Sequence, residues 1–261
     1  MRYLIFSTAL IFGASLLAPQ ATAQTTPAPD TVRVDSSENQ ARGMFNQGNE
    51  LLRAQDFQGA LAQFERGIRL HDENARNHFG RAVALAQLNR REDAVESFIR
   101  ARELAVEQGD TEMAQTASRQ VSTLALVQAQ ELMGAQPLPE ENAQRVVDML
   151  APAQDMMSGN STYYYFLARS YNALGQHDDG ARFAQLALDN ATAQNGDHSP
   201  LNYELGYAEM HRGNEDAART AFQEAMSGSY AGWAEYQIGV LDAGGEAGAS
   251  AETAIDPDEG E

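Results

Sequence analysis

The sequence contains no cysteine and no lysine. Without cysteine there is no disulfide, no thiol nucleophile, no lipid-bearing cysteine at a leader cleavage site, and none of the usual thiolate zinc centres. Without lysine, all 18 basic residues are arginine, set against 37 aspartates and glutamates for a net charge of −19. Such a surface cannot release counterions from a nucleic acid and is repelled by an anionic leaflet, which excludes both as partners. Alternating β-branched runs are missing as well, so strands are not expected. Two readings of the acid excess stay open. One is adaptation to high salt, where screening relieves the self-repulsion of a compact acidic chain. The other is an ordinary solvated surface, with arginine replacing lysine through a GC-rich genome.

What is present begins with a targeting pattern. Met1 and Arg2 precede the apolar run "YLIFSTALIFGASLLA", Tyr3 to Ala18, and "ATA" at Ala21–Ala23 fits small-x-small cleavage. Ser7, Thr8, Gly13 and Ser15 interrupt the run, which falls short of the ~20 apolar residues of a membrane span. Residues 1–23 therefore read as a cleaved Sec-type signal peptide without a lipobox. The mature protein is then expected to be periplasmic or secreted and to carry no membrane span. Residues 24–36, with Pro27 and Pro29, read as a linker. "SENQ", Ser37 to Gln40, reads as a capping box opening the first helix. The end of the chain, residues 243–261, has six acids and no base. It holds too little apolar matter for a core and reads as a disordered acidic tail.

Between these ends the chain repeats itself. "GALAQFERG" at Gly59–Gly67 returns as "DAVESFIRA" at Asp93–Ala101 and as "AARTAFQEA" at Ala217–Ala225. Ala60 and Ala94, Phe64 and Phe98, and Gly48 and Ala82 each lie 34 residues apart. A helix pair of this size buries too little surface to stand alone, so neighbours must stack and share one core. This unit resembles the tetratricopeptide repeat, a helix–turn–helix with a small residue where helix B crosses helix A. The resemblance implies an all-α fold, a right-handed α-solenoid of about five units over residues 37–242. Units fall near 41–74, 75–108, 161–194 and 199–232, with an irregular third near 111–157. In that third unit Ala143 comes 49 residues after Ala94, so a long helix A and a loop at "GAQPLPEE" are expected. A final helix, residues 230–243, is expected to cover the last unit with Trp233, Tyr236 and Val240 on its apolar side.

Chemistry is harder to find. The five histidines form no HExxH, and no nucleophile elbow, phosphate loop or dinucleotide fingerprint occurs. No catalytic residue, metal site or cofactor is therefore expected. "NST" at Asn160 and "NAT" at Asn190 fit the glycosylation acceptor pattern, a short match that often arises by accident.

The resemblance points instead to a groove lined by the A helices. Their fifth positions hold Phe45, Phe79, Tyr165 and Tyr203, with Arg42, Asn49, Arg53, Arg76, Arg169, Tyr207 and His211 around them. Aromatic residues edged by arginine suit a binding wall, although an aromatic at this position also serves packing. The family's lysine and asparagine clamp for a terminal carboxylate is reduced here to Asn49, because Phe45 and Gly80 hold the other matching positions. The sequence thus implies a non-catalytic module that holds a protein or peptide partner. A structural subunit of an envelope or secretion assembly is the alternative, and the sequence leaves the oligomeric state open. Export predicts that protein purified from its native host begins near Gln24 on N-terminal sequencing. A mature chain still starting at Met1 overturns that expectation.

Overall fold

The computed structural model describes residues 36–135, 137–192 and 196–244. The chain divides into two units, Met1–Val34 and Asp35–Glu261, and every described residue belongs to the second. The expected signal peptide, the linker up to residue 35 and the tail from residue 245 lie outside the described residues.

The described chain is all-helical. Eleven α-helices follow one another: α1 (Ser36–Arg53), α2 (Phe57–Leu70), α3 (Ala75–Gln87), α4 (Arg91–Glu107), α5 (Thr111–Leu132), α6 (Glu140–Leu150), α7 (Ser161–Ala173), α8 (His177–Asp189), α9 (Ser199–His211), α10 (Glu215–Ala225) and α11 (Ala231–Asp242). Helix α1 starts at Ser36, so Ser37 lies inside its first turn and not at its cap. Short polar side chains start four of the others. Asp56, Asn74, Asp110 and Asn160 each accept the backbone N–H three residues on, at 2.9–3.1 Å, which satisfies an otherwise orphaned donor. Asn190 is also occupied, its amide donating to the Leu186 carbonyl at 2.8 Å. Both glycosylation-type asparagines thus serve helix ends.

The helices pack as successive A–B pairs, and the crossing point of each pair explains the 34-residue echo. A Cβ added at Gly48 would sit 2.5 Å from the Phe64 ring, and one at Gly80 would sit closer still. Phe64 therefore fills a slot bounded by bare backbone on its own pair and on the next. Gly206 stands in the same relation to Phe222, at 2.7 Å. The step from Gly48 to Phe64 recurs from Ala82 to Phe98, both fully buried in the largest core cluster with Ala117 and Val121. In the fourth unit the same step leads from Ala168 to Ala184. There Phe183 turns instead onto Tyr171, with ring centres 5.3 Å apart. Turns between paired helices need one left-handed residue. Gly175 and Gly213 supply it at φ 70° and 79°, while Gln55 and Asn89 adopt φ 60° at the matching places of the first two units.

Helix α1 touches α3 and α7 touches α9, while α2 with α4, and α8 with α10, meet at most marginally. That relation curves the array with the A helices inside. The third unit departs as its spacing implied: α5 runs for 22 residues, α6 for only 11, and a 3-10 helix, Ala151–Met156, follows. Asn142, in the first turn of α6, ties that helix to the end of α5 by donating to the Leu132 carbonyl at 2.9 Å. Arg145 pairs with Glu92 and Arg91 with Glu131, each at 2.5 Å, fastening the unit to α4.

Between the fourth and fifth units two imidazoles meet. His177, the first residue of α8, stacks on His211, the last of α9, at 4.4 Å and 27°. Tyr207 lies 4.2 Å from His211 and 5.9 Å from His177, completing the cluster. Burial and the neighbouring His211 hold the His177 pKa below its usual 6.5, against the opposing pull of Asp178. His78 is lowered too, chiefly by burial and then by Arg100 and Arg81, despite its 2.8 Å bond to the Asp72 carbonyl.

Two outcomes follow from this packing. Phe64→Ala should cost about 3–5 kcal/mol, since the glycine-walled slot has no side chain to move into it; a thermal melt equal to the parent's would contradict the slot. Both lowered histidines stay neutral in the folded state but take up protons when unfolded. Stability should therefore fall as pH drops below 6.5, until pH passes the folded-state values. Denaturant titrations at stepped pH measure this, and His177→Asn should flatten part of the slope.

Candidate functional site

Three of the four fifth-position aromatics lean on the helix-B aromatic of their own unit. Ring centres are 6.1 Å apart for Phe45 and Phe64, 5.1 Å for Phe79 and Phe98, and 5.7 Å for Tyr203 and Phe222. One side of each ring is thus part of the core. What covers the other side decides whether the ring can meet a partner.

At the C-terminal end it is covered by the chain itself. Tyr230 and Trp233 pack on Tyr203 at 5.3 and 5.9 Å, leaving it 3% exposed. The Tyr165 hydroxyl lies 3.3 Å from that of Tyr230, and burial, then the nearby Glu204 carboxylate, push its pKa well above the ordinary tyrosine value. Arg169 is 8% exposed, with its Nε 4.0 Å from Glu204 Oε1 and its Nη1 donating to the Met133 carbonyl at 3.5 Å. Asn172 donates to the same Glu204 side chain at 2.8 Å. Arg169 and Tyr203, placed on an open wall by the sequence, are therefore interior residues that join α7 to α9. Tyr207 and His211 are half-buried in the imidazole stack.

The cover is strapped down. The Asp197 carboxylate accepts the backbone N–H of Ser229 at 2.7 Å and of Ser199 at 2.9 Å, and the Ser199 hydroxyl accepts that of Tyr230 at 3.0 Å. These bonds, with Ser229 foremost, hold the Asp197 carboxyl far below the usual carboxylate range. Helix α11 starts where the strap ends. Trp233 faces the core with Tyr230, Ile238 and Leu241, and Gln237 is completely buried, its amide 3.5 Å from the Tyr203 hydroxyl. Tyr236 and Val240 are not part of that cluster. Three and seven residues after Trp233, they share its side of the helix and are, like it, partly buried.

At the N-terminal end the ring stays open. Ala75 stands thirty residues after Phe45, the place Trp233 holds after Tyr203. With a methyl group there in place of an indole, a cleft of about 790 Å³ remains between the starts of α1, α3 and α5. Phe45 lies in it half-buried, with Arg42 and Arg76, both exposed, among its walls. Arg42 is held by Glu38 at 2.5 Å, whereas Arg76 makes no ion pair among the described residues. Asn46, His71, Gln108 and Met113 complete the lining with Glu73, the Asn74 and Asp110 caps, and Ala75. The cleft is thus an aromatic floor with amide and thioether walls and charges of both signs. It brings together three residues named from the sequence, Arg42, Phe45 and Arg76. Asn49, Arg53 and Phe79 do not line it: the first two lie further along α1, and Phe79 is half-buried against Phe98. Met113 and Gln108 escaped the sequence reading because the third unit breaks the spacing that would have aligned them. Among the described residues no cluster of three histidine or acidic side chains could hold a metal ion, and no helix is long and apolar enough to cross a membrane.

No curated protein matches the sequence. Solved structures with a similar course include MamA, at 16% identity and a TM-score of 0.41 over 72% of this chain and 91% of that one. A MamA fragment from Desulfovibrio magneticus RS-1 gives 18% and 0.37, covering 74% and 96%. YrrB, described as a TPR protein with an unusual peptide-binding site, gives 16% and 0.39, covering 72% and 85%. Residues 45–106 match the tetratricopeptide repeat. From Phe45 to Val106 the chain is thus similar to the tetratricopeptide repeat, and the helix pairs beyond continue the same packing.

Proposed function

We propose that the protein is an exported, non-catalytic binding module that holds a segment of a partner protein in the cleft between α1, α3 and α5. In this reading Phe45 is the apolar anchor and Arg76 the free charge at its edge, with Arg42 beside it. Asn46 and Gln108 face the main chain of the bound segment. The observation that supports it is the contrast between Phe45, half-buried beside about 790 Å³ of open space, and Tyr203, covered by Tyr230 and Trp233. Aromatic and arginine side chains on a preformed cleft are the usual carriers of binding energy. Export rests on the leader pattern of residues 1–23 and makes the site of action the periplasm or the exterior.

The test is a pull-down from envelope extract followed by affinity measurement with the recovered partner. Phe45→Ala combined with Arg76→Ala should weaken binding at least about thirtyfold, the equivalent of ~2 kcal/mol, with the helical circular dichroism unchanged. Arg66→Ala, an exposed arginine outside the cleft, should bind as the parent does. Loss of the partner in Arg66→Ala with retention in the cleft variant would place recognition elsewhere on the array.

A further inference from the structure

The two ends of the array hold the fifth-position ring in the same way. Phe45 tilts at 50° onto Phe64 and Tyr203 at 54° onto Phe222, with centres 6.1 and 5.7 Å apart. A side chain that seats on one ring therefore finds a similar surface on the other. At the sealed end the chain supplies that side chain itself. Tyr230 and Trp233 stand twenty-seven and thirty residues after Tyr203. Their rings meet Tyr203 at 56° and 62° and each other at 69°, so three rings pack edge against face. The same two steps from Phe45 reach Asp72 and Ala75, an exposed carboxylate and a buried methyl group. Among the described residues the space of a phenol and an indole is thus left beside Phe45, and the cleft of about 790 Å³ lies there.

The walls of the cleft suit the group that is missing. Met113 offers a thioether, which packs well against an aromatic ring at a distance of about 5 Å. Arg76 offers an exposed guanidinium, which is attracted to the face of a ring and most strongly to that of tryptophan. Phe45 offers an edge contact that adds to the area it buries. Glu73 adds an exposed carboxylate that can accept from an indole N–H, a group that only donates. An aliphatic side chain would use only the apolar area of the floor, whereas an indole uses all four groups.

Taking this cleft as the binding site, on which the inference rests, we propose that the bound segment presents an aromatic side chain, tryptophan foremost, edge-on to Phe45 and between Met113 and Arg76. The partner then supplies from outside what Trp233 supplies from within at the other end of the array.

The whole protein, with carbon-13 in its methionine methyl groups, is titrated with two blocked tripeptides, alanine–tryptophan–alanine and alanine–leucine–alanine. The tryptophan peptide should bind at least about fivefold more tightly, the worth of an aromatic contact beyond buried area. Its ring current should also move the Met113 methyl resonance far more than the leucine peptide does; Met113→Leu assigns that resonance. Phe45→Leu keeps an apolar floor without a ring. It should weaken the tryptophan peptide about fivefold and leave the leucine peptide within about twofold, with circular dichroism as the check on folding. Equal affinity for the two peptides, an unmoved Met113 resonance, or a Phe45→Leu variant that binds the tryptophan peptide as the parent does overturns the proposal. The partner recovered by pull-down gives a second test. A partner that needs Phe45 and Arg76 but binds through a segment without an aromatic residue overturns the proposal and leaves the binding site standing. One indifferent to Phe45→Ala with Arg76→Ala overturns the binding site and the proposal with it.

Discussion

Phe64 lies between the bare backbone of Gly48 on its own helix pair and that of Gly80 on the next. The slot exists only because both glycines lack a side chain, and the ring fills it only if the two pairs keep a fixed relation. Nearly everything else follows from that constraint. It fixes the 34-residue period, since a pair that arrives early or late cannot present its small residue to the preceding aromatic. It brings the A helices together on the inner side. It also anchors one side of each fifth-position ring on the core, so that exposure becomes a question of what lies on the other side.

That question is answered differently at the two ends. Ala75 leaves Phe45 open, while Trp233 and Tyr230 close over Tyr203 under the Asp197 strap. An array built from one packing rule therefore carries one open cleft and one sealed end. The buried Arg169, Glu204 and Asn172 follow from the same closure. A charge taken out of water persists only when paired and hydrogen-bonded, and α7 and α9 supply the groups that do so.

Much of the fold could be read from the residues. The small residue, the alanine and the phenylalanine are packing requirements, and packing repeats in sequence when it repeats in space. The long helix and loop of the third unit followed from a displaced alanine alone. The site was less legible, for a physical reason. A side chain such as Tyr203 looks the same as Phe45 in its own unit, and only the residue thirty positions on, which obeys no repeat rule, separates a floor from a filler.

The position of Trp233 has a use beyond packing. It is the chain's single tryptophan, and its ring sits 5.0 Å from Tyr230 and 5.9 Å from Tyr203, near enough for both to pass it their excitation. Its emission thus reports whether the last described helix is docked, whereas ellipticity reports all eleven described helices. An array held together by nearest-neighbour contacts need not unfold as one body. Following both signals through one denaturation would show whether the sealed end and the open end melt as one cooperative unit or come apart in turn.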